Sequence, residues 1–309
     1  MLIIICILLS VSSGTFFTYT NISNVLRQIS VNMILASGMT IVIIVGGIDL
    51  SVGAILAFSS FIMADIMKNY GIFPAITAGL AVGAVLGLIN GLIIARRKSM
   101  AFVITLGTMT VWRSFTAIYS GGLPVSDFPL GFQNIASDYF LFIPIPFWIA
   151  ILAVLLTMVL LQKTKFGKYV YAIGSNTTAA RNCGVNINLI VMFSYIICGF
   201  LAALAGIVLT SRLDAAQVQG GLGYEMDAIA AVVIGGTSLS GGRGNILGTL
   251  AGALLMGILR NGLNLMNVSS NWQQTVMGIV IIVTILWDKD SVKMAIRNPV
   301  NMKGENVNK

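Results

Sequence analysis

Histidine is absent from these 309 residues, and charge is scarce: 9% of the chain is charged, against 57% hydrophobic. Without histidine there are no imidazole metal ligands and no histidine proton relay. A soluble domain carries ~25% charged residues, so this chain lacks the side chains to cover a water-facing surface. Its first 95 residues hold four charges, Arg27, Asp49, Asp65 and Lys68. The three cysteines, Cys6, Cys183 and Cys198, are scattered and odd in number, which suits reduced or lipid-buried thiols better than a disulfide framework. No G-x-x-x-x-G-K-[ST] segment occurs, so any dependence on ATP has to come from another chain. Neither paired acids nor a Ser/His set stands in facing apolar segments, as a membrane-embedded protease would need. The expectation is a protein with no catalytic residues, no metal site and no cofactor of its own.

What fills the chain instead is apolar sequence, with a mean hydropathy of +0.94. The runs are continuous rather than alternating, which excludes a β-barrel and points to an all-α polytopic membrane protein. A spanning helix needs ~20 mostly apolar residues. Candidates run near 2–18, 28–46, 51–67, 72–95, 101–119, 143–161, 189–210, 226–237, 244–267 and 272–287, about ten transmembrane helices in a single domain over 1–309. The net charge of +8 does not imply nucleic acid, because the basic residues sit at span ends, where topology signals lie. Arg96, Arg97 and Lys98 follow the fourth span, Lys163, Lys165, Lys168 and Arg181 the sixth, and Lys289, Lys293, Arg297, Lys303 and Lys309 the tenth. With ten spans these regions share one face, which makes that face and both termini cytoplasmic. The 120–142 loop carries Asp127 and Asp138 without Lys or Arg, as an outer loop does. The start, MLIIICILLSVSSG, has no positive region before its apolar run and reads as a first membrane helix rather than a signal peptide.

Glycine is placed with regularity. Gly79, Gly83, Gly87 and Gly91 recur every fourth residue, as do Gly244, Gly248 and Gly252, and such bare faces let membrane helices pack closely. GGIDLSVG, from Gly46, and GGTSLSGG, from Gly235, share a GGxxLSxG spacing, and Asn90-Gly91-Leu92 is echoed by Asn261-Gly262-Leu263. These echoes suggest an internal duplication, parallel or inverted, although their offsets, 189 and 171 residues, differ by about one span. Gly46 and Gly47 free the backbone to leave a helix, and Asp49 or Ser51 can cap the next one. Gly235 and Gly236, with Ser238 and Ser240, repeat that arrangement. Because Asp49 matches Ser238, capping is the shared role and charge is not. Broken helices cluster near substrate paths in transporters, which makes these eight residues the candidate translocation path. Arg260 sits inside an apolar segment and calls for a partner or a cavity.

Between the sixth and seventh spans, in a loop near 163–188, lies KTKFGKYVYAIGSNTTAARNCGVN. It holds a cap (Asn176 or Thr177), a short TAAR helix and a stop at Gly184, which fits either a surface linker or a docking element. YAIGSNTTAARNCGVN resembles the coupling segment, YAIGxNxxAARxxGI, of ribose-type permease subunits of bacterial ABC importers. GMTIVIIVGGIDLSVGAILAFSS and VIGGTSLSGGRGNILGTLAGALLMGILRNGLNLMNVSSNWQQ are similar to the same family, so the resemblance covers nearly the whole chain in order. It implies a type II-like importer permease working by alternating access. It implies Gly174, Asn176, Ala179, Ala180, Arg181 and Gly184 as the ATPase-coupling residues, with a cytoplasmic tail near 288–309. The implied partners are a second permease subunit, a cytoplasmic ATPase that binds ATP and magnesium, and an extracytoplasmic sugar-binding protein. The rival is a secondary transporter or channel working alone, which needs a coupling-ion site. The basic-loop rule carries its own test: cysteines at Ser99 and Asn308 should resist an impermeant thiol reagent in intact cells, and one at Ser126 should react. Strong labelling at Ser99 would reverse the assignment.

Overall fold

The computed structural model describes residues 6–7, 9–10, 14–96 and 100–287. Its helices are α1 (Tyr19–Ile44), α2 (Val52–Tyr70), α3 (Ile72–Arg96), α4 (Ala101–Ser120), α5 (Leu130–Ser137), α6 (Ile145–Lys163), α7 (Lys165–Ser175), α8 (Thr177–Asn182), α9 (Ile187–Leu213), α10 (Tyr224–Ile234), α11 (Ile246–Leu265) and α12 (Ser270–Trp287). Two minimal antiparallel ladders join them: β1 (Val125–Ser126) pairs with β4 (Ala215–Ala216), and β2 (Tyr139–Phe140) with β3 (Ile143–Pro144).

Among the described residues seven helices are long and apolar enough to cross a membrane: α1, α2, α3, α4, α6, α9 and α11. Residues 2–5, 8 and 11–13 of the 2–18 segment and all of 288–309 lie outside the described residues. The expected span at 226–237 is the 11-residue α10, about 16 Å of helix, roughly half a bilayer core. α12 opens on SNWQQ, too polar a first turn to join the seven. α1 begins nine residues before the apolar run does. Its polar first turns are held by contacts at one end of the bundle, where Asn21 and Asn261 exchange amide hydrogen bonds of 3.1 and 2.9 Å.

α1 is the hub, buried on every face from Ile29 to Ile44. A helix apolar all round belongs inside, and α6, α9, α10 and α11 surround this one. The two glycine ladders make close helix contacts. A Cβ at Gly87 would run into the Tyr195 carbonyl, one at Gly83 into Ala203 and the Gly199 carbonyl, and one at Gly91 would lie 2.8 Å from the Met192 Cα. α3 therefore lies antiparallel on α9, backbone on backbone; Gly79, one turn earlier, turns to Met63 of α2. In the second ladder Gly248 abuts the Gly235 carbonyl and Gly252 that of Ala231, while Gly244 meets Thr237, which folds α11 back along α10.

Gly107, on the outer face of α4, has nothing within contact of an added Cβ. Gly87→Ala should therefore lower the unfolding temperature of the detergent-solubilised chain, by an overpacking cost of about 1–3 kcal/mol. Gly107→Ala should leave it unchanged or raise it slightly. Equal effects from the two would show that α3 does not pack through this face.

Candidate functional site: two glycine turns and the helices that meet them

α1 ends in a Schellman motif. Gly46 adopts φ +93° and donates to the Ile43 carbonyl at 3.0 Å, and Gly47 donates to Val42 at 2.8 Å. α10 ends the same way: Gly236 (φ +85°) donates to Val233 at 2.9 Å and Thr237 to Val232 at 3.1 Å. The left-handed residue is thus the first glycine of one pair and the second glycine of the other. The remaining glycines are needed for space. A Cβ at Gly47 would lie 2.5 Å from the Tyr195 hydroxyl, and one at Gly235 would overlap the Gly248 backbone.

Each pair reverses the chain between antiparallel helices. Gly38 of α1 meets Cys198 of α9 just before the turn, and Gly47 meets Tyr195 in it. α2 then climbs back along α9, with Leu56 and Ser60 against Gly206.

Inside the first turn Asp49 is fully buried. Its Oδ1 accepts from the Ser51 amide at 2.9 Å and from the Ser51 hydroxyl at 2.6 Å. Asn90 of α3 donates to that hydroxyl at 2.8 Å, and the Ile48 carbonyl accepts from Thr105 (3.1 Å) and Tyr195 (3.3 Å). Three helices therefore hold the turn. Ser51 stands at the N-cap of α2 without bonding to the helix through its side chain, because its hydroxyl is spent on Asp49. In the second turn Ser238 plays the part of Asp49: its hydroxyl accepts from the Ser240 amide at 3.3 Å. Neither Ser238 nor Ser240 caps α11, which starts later behind Asn245, whose Oδ1 accepts from Leu247 at 3.0 Å. The shared device is an Asx-like loop closure, not a helix cap.

The two turns meet. The Gly242 amide donates to the Ile44 carbonyl at 2.8 Å, and a Cβ on Gly241 would lie 3.1 Å from Gly46. The C-terminal end of α7 reaches the same spot. Gly174 presses on the Ile44 carbonyl, Tyr171 donates to the Gly244 carbonyl at 2.9 Å, and Ser175 donates to the Gly242 carbonyl at 3.4 Å. α8 follows directly. Asn176 caps it by accepting from Ala179 at 2.9 Å, and Gly184 (φ +80°) ends it in a third Schellman motif, with Val185 donating to Ala180 at 3.1 Å. Ala180 is turned into the protein and 5% exposed, whereas Ala179 and Arg181 are exposed.

Two charged groups in the bundle find partners the one-dimensional pattern does not reveal. Arg260 of α11 meets Asp227, in the first turn of α10, through both oxygens: Nη2 donates to Oδ1 at 3.1 Å, and Nη1 lies 2.9 Å from Oδ2. Arg113 of α4 donates to the carbonyls of Val218 (3.2 Å) and Gly220 (2.7 Å), clasping the connection that leads into α10. Among the described residues no group of three or more His, Cys, Asp or Glu could hold a metal ion.

These features define a multi-pass α-helical membrane protein whose glycine-built reversals converge beneath a short polar helix pair. Residues 21–285 match the family described as branched-chain amino acid transport system / permease component, and the chain belongs to that family. It is 50% identical over 292 residues to the ribose import permease protein RbsC of Bacillus subtilis (strain 168), covering 93% of this chain and 90% of that protein. The protein of the same name from Haemophilus influenzae is 46% identical with the same coverage. The galactose/methyl galactoside import permease protein MglC of Escherichia coli (strain K12) is 34% identical over 308 residues, covering 93% of this chain and 91% of that protein. No solved structure matches the chain.

Arg260→Ala should leave Asp227 buried without its counter-charge and cost about 3–5 kcal/mol, read as a fall in unfolding temperature and membrane yield. Adding Asp227→Asn to that variant should recover part of the loss. Additive losses in the double variant would show that the pair is not coupled.

Proposed function

We propose that this chain is the membrane-spanning subunit of an ATP-binding cassette importer that carries ribose, or a close monosaccharide relative, into the bacterial cytoplasm by alternating access. The observation that carries the reading is the 44–50% identity to permeases named for ribose import, spread over 93% of the chain. In this reading the protein sits in the cytoplasmic membrane with α7, α8 and both termini on the inner side. Its partners are a second permease subunit, a cytoplasmic ATPase and an extracytoplasmic sugar-binding protein. ATP and magnesium belong to the ATPase, and this chain binds no cofactor. The bilayer itself is the remaining partner; nucleic acid is not one.

α8 is the coupling element. In support, it is short, capped, stopped and exposed on one face, and it follows α7, whose end touches both glycine turns. A push on α8 therefore bears on the turns that end α1 and α10, with Gly174 as the point of contact. The two GGxxLS turns, Gly46, Gly47, Asp49 and Ser51 with Gly235, Gly236, Ser238 and Ser240, border the translocation path. Asn176 and Gly184 fix the ends of α8, and Ala179 and Arg181 form its outward surface.

The importer is tested by labelled ribose uptake in cells carrying this chain with its ATPase and binding protein; uptake that persists without the ATPase would favour a transporter working alone. The coupling role needs substitutions on the exposed side of α8, because Ala180→Glu would disturb the chain's own packing. Ala179→Glu with Arg181→Glu should leave insertion and unfolding temperature unchanged. The lost positive charge and the two added carboxylates on the outward face of α8 should weaken co-purification of the ATPase about tenfold or more and abolish uptake. Intact co-purification and uptake would remove α8 as the coupling element.

A further inference from the structure

α7 does not continue α6. Thr164 is extended between them, donating to the Leu160 carbonyl at 2.6 Å and accepting from the Gly167 amide at 3.2 Å. A Cβ on Gly167 would overlap the Leu161 carbonyl, so α7 folds hard against the last turn of α6. Its other end reaches the Ile44 carbonyl, at the end of α1, which packs beside α6. α7 therefore crosses the end of the bundle from one membrane helix to another, at the level where hydrocarbon gives way to headgroups. Its two sides differ as an interfacial helix requires. Gly167, Val170 and Ile173 are buried, whereas Lys165, Lys168, Tyr169 and Ala172 are exposed.

The lysines extend an apolar stripe. On α6, Leu152, Leu155, Leu156 and Val159 are exposed on one side, and Lys163, also exposed, stands one turn beyond Val159 on that same side. Its ammonium thus ends the stripe where acyl chains give way to phosphate. Among the described residues Lys163, Lys165 and Lys168 make no hydrogen bond or ion pair. No Asp or Glu occurs anywhere between Asp138 and Asp214, so nothing in this stretch of chain neutralises them. Three exposed ammonium groups would hold a small free anion only weakly. An anionic lipid adds its acyl chains, laid along the α6 stripe, to the same charge attraction. The exposed face of α8 begins beyond the opposite end of α7, about 15 Å from Lys165 along the helix axis.

We propose that Lys163, Lys165 and Lys168, with Tyr169 beside them, form a binding surface for an anionic phospholipid whose acyl chains lie along α6. The leaflet it occupies rests on the importer reading; the binding itself does not. A lipid held here steadies the first turn of α7, whose far end touches both glycine turns and carries α8. In the test, the full chain in detergent is titrated with phosphatidylglycerol or phosphatidylcholine, and bound lipid is counted by native mass spectrometry. Phosphatidylglycerol should bind about tenfold more tightly than phosphatidylcholine. Lys163→Gln, Lys165→Gln and Lys168→Gln combined should remove that preference and leave the unfolding temperature unchanged, because these side chains bond to nothing among the described residues. The corresponding triple arginine variant should keep the preference.

Equal binding of the two lipids overturns the surface and leaves the lysines as topology signals alone. A preference that survives the glutamine variant overturns it too; if that variant also loses the ATPase on co-purification, the lysines belong to the protein partner instead. Displacement of phosphatidylglycerol by inorganic phosphate at the same concentration would make this a site for soluble anions and likewise overturn it. Ribose uptake by the complete transport system is measured alongside. Uptake without a lipid preference removes the surface and leaves the importer reading standing. A lipid preference without uptake keeps the surface and counts against the ribose importer.

Discussion

The Ile44 carbonyl is the point on which the architecture turns. It ends the central helix inside the protein, where an unpaired carbonyl has no water to bond and would cost several kcal/mol. The Schellman motif uses the carbonyls of Val42 and Ile43, and the Gly242 amide, from the other half of the chain, takes Ile44. That hydrogen bond, with Gly241 packed on Gly46, fastens the two glycine turns together. Gly174 closes over it so tightly that a side chain there would occupy the same space. The position of α7, and with it α8, is thereby set by the end of α1.

The duplicated GGxxLS spacing is more than a shared string and less than a shared geometry. Both copies end a helix with a left-handed glycine, reverse the chain, and close the loop with a side-chain oxygen two residues ahead of the amide it accepts from. Yet the left-handed residue has moved by one position, and only the first copy leads straight into its next helix. The echoed asparagines have diverged further: Asn90 serves the Asp49 turn, whereas Asn261 binds Asn21 at the far end of α1.

Much of this could be read along the chain, because its signals are local. Apolar runs gave the membrane helices, four-residue glycine spacing gave the closely packed faces, and Asn176 and Gly184 gave the limits of α8. The missed features depend on contacts between distant residues. α1 runs on through YTNISNVLRQ because tertiary hydrogen bonds support polar turns that hydropathy discounts. α10 is half a span because its connection dips back into the bundle under the clasp of Arg113. The partner of Arg260 lies 33 residues away on another helix. Ala179 and Ala180 look interchangeable in sequence, but adjacent helical residues point about 100° apart, and only one of them faces out.

The paired glycines also differ in what could ever replace them. Gly46 and Gly236 are bound by their own backbone angles, and no change elsewhere relaxes that. Gly235 is bound by the main chain of Gly248, which no side-chain replacement can move aside. Gly47 alone is held by the far end of a side chain, the Tyr195 hydroxyl, a condition that lapses once position 195 loses that oxygen. Of the four glycines, then, one is a contingent choice that a mutation on another helix could undo, and its freedom is tied to the hydroxyl that also steadies Ile48. Descendants of this chain that lose the tyrosine would be free to drift at Gly47, while the second turn would keep both of its glycines.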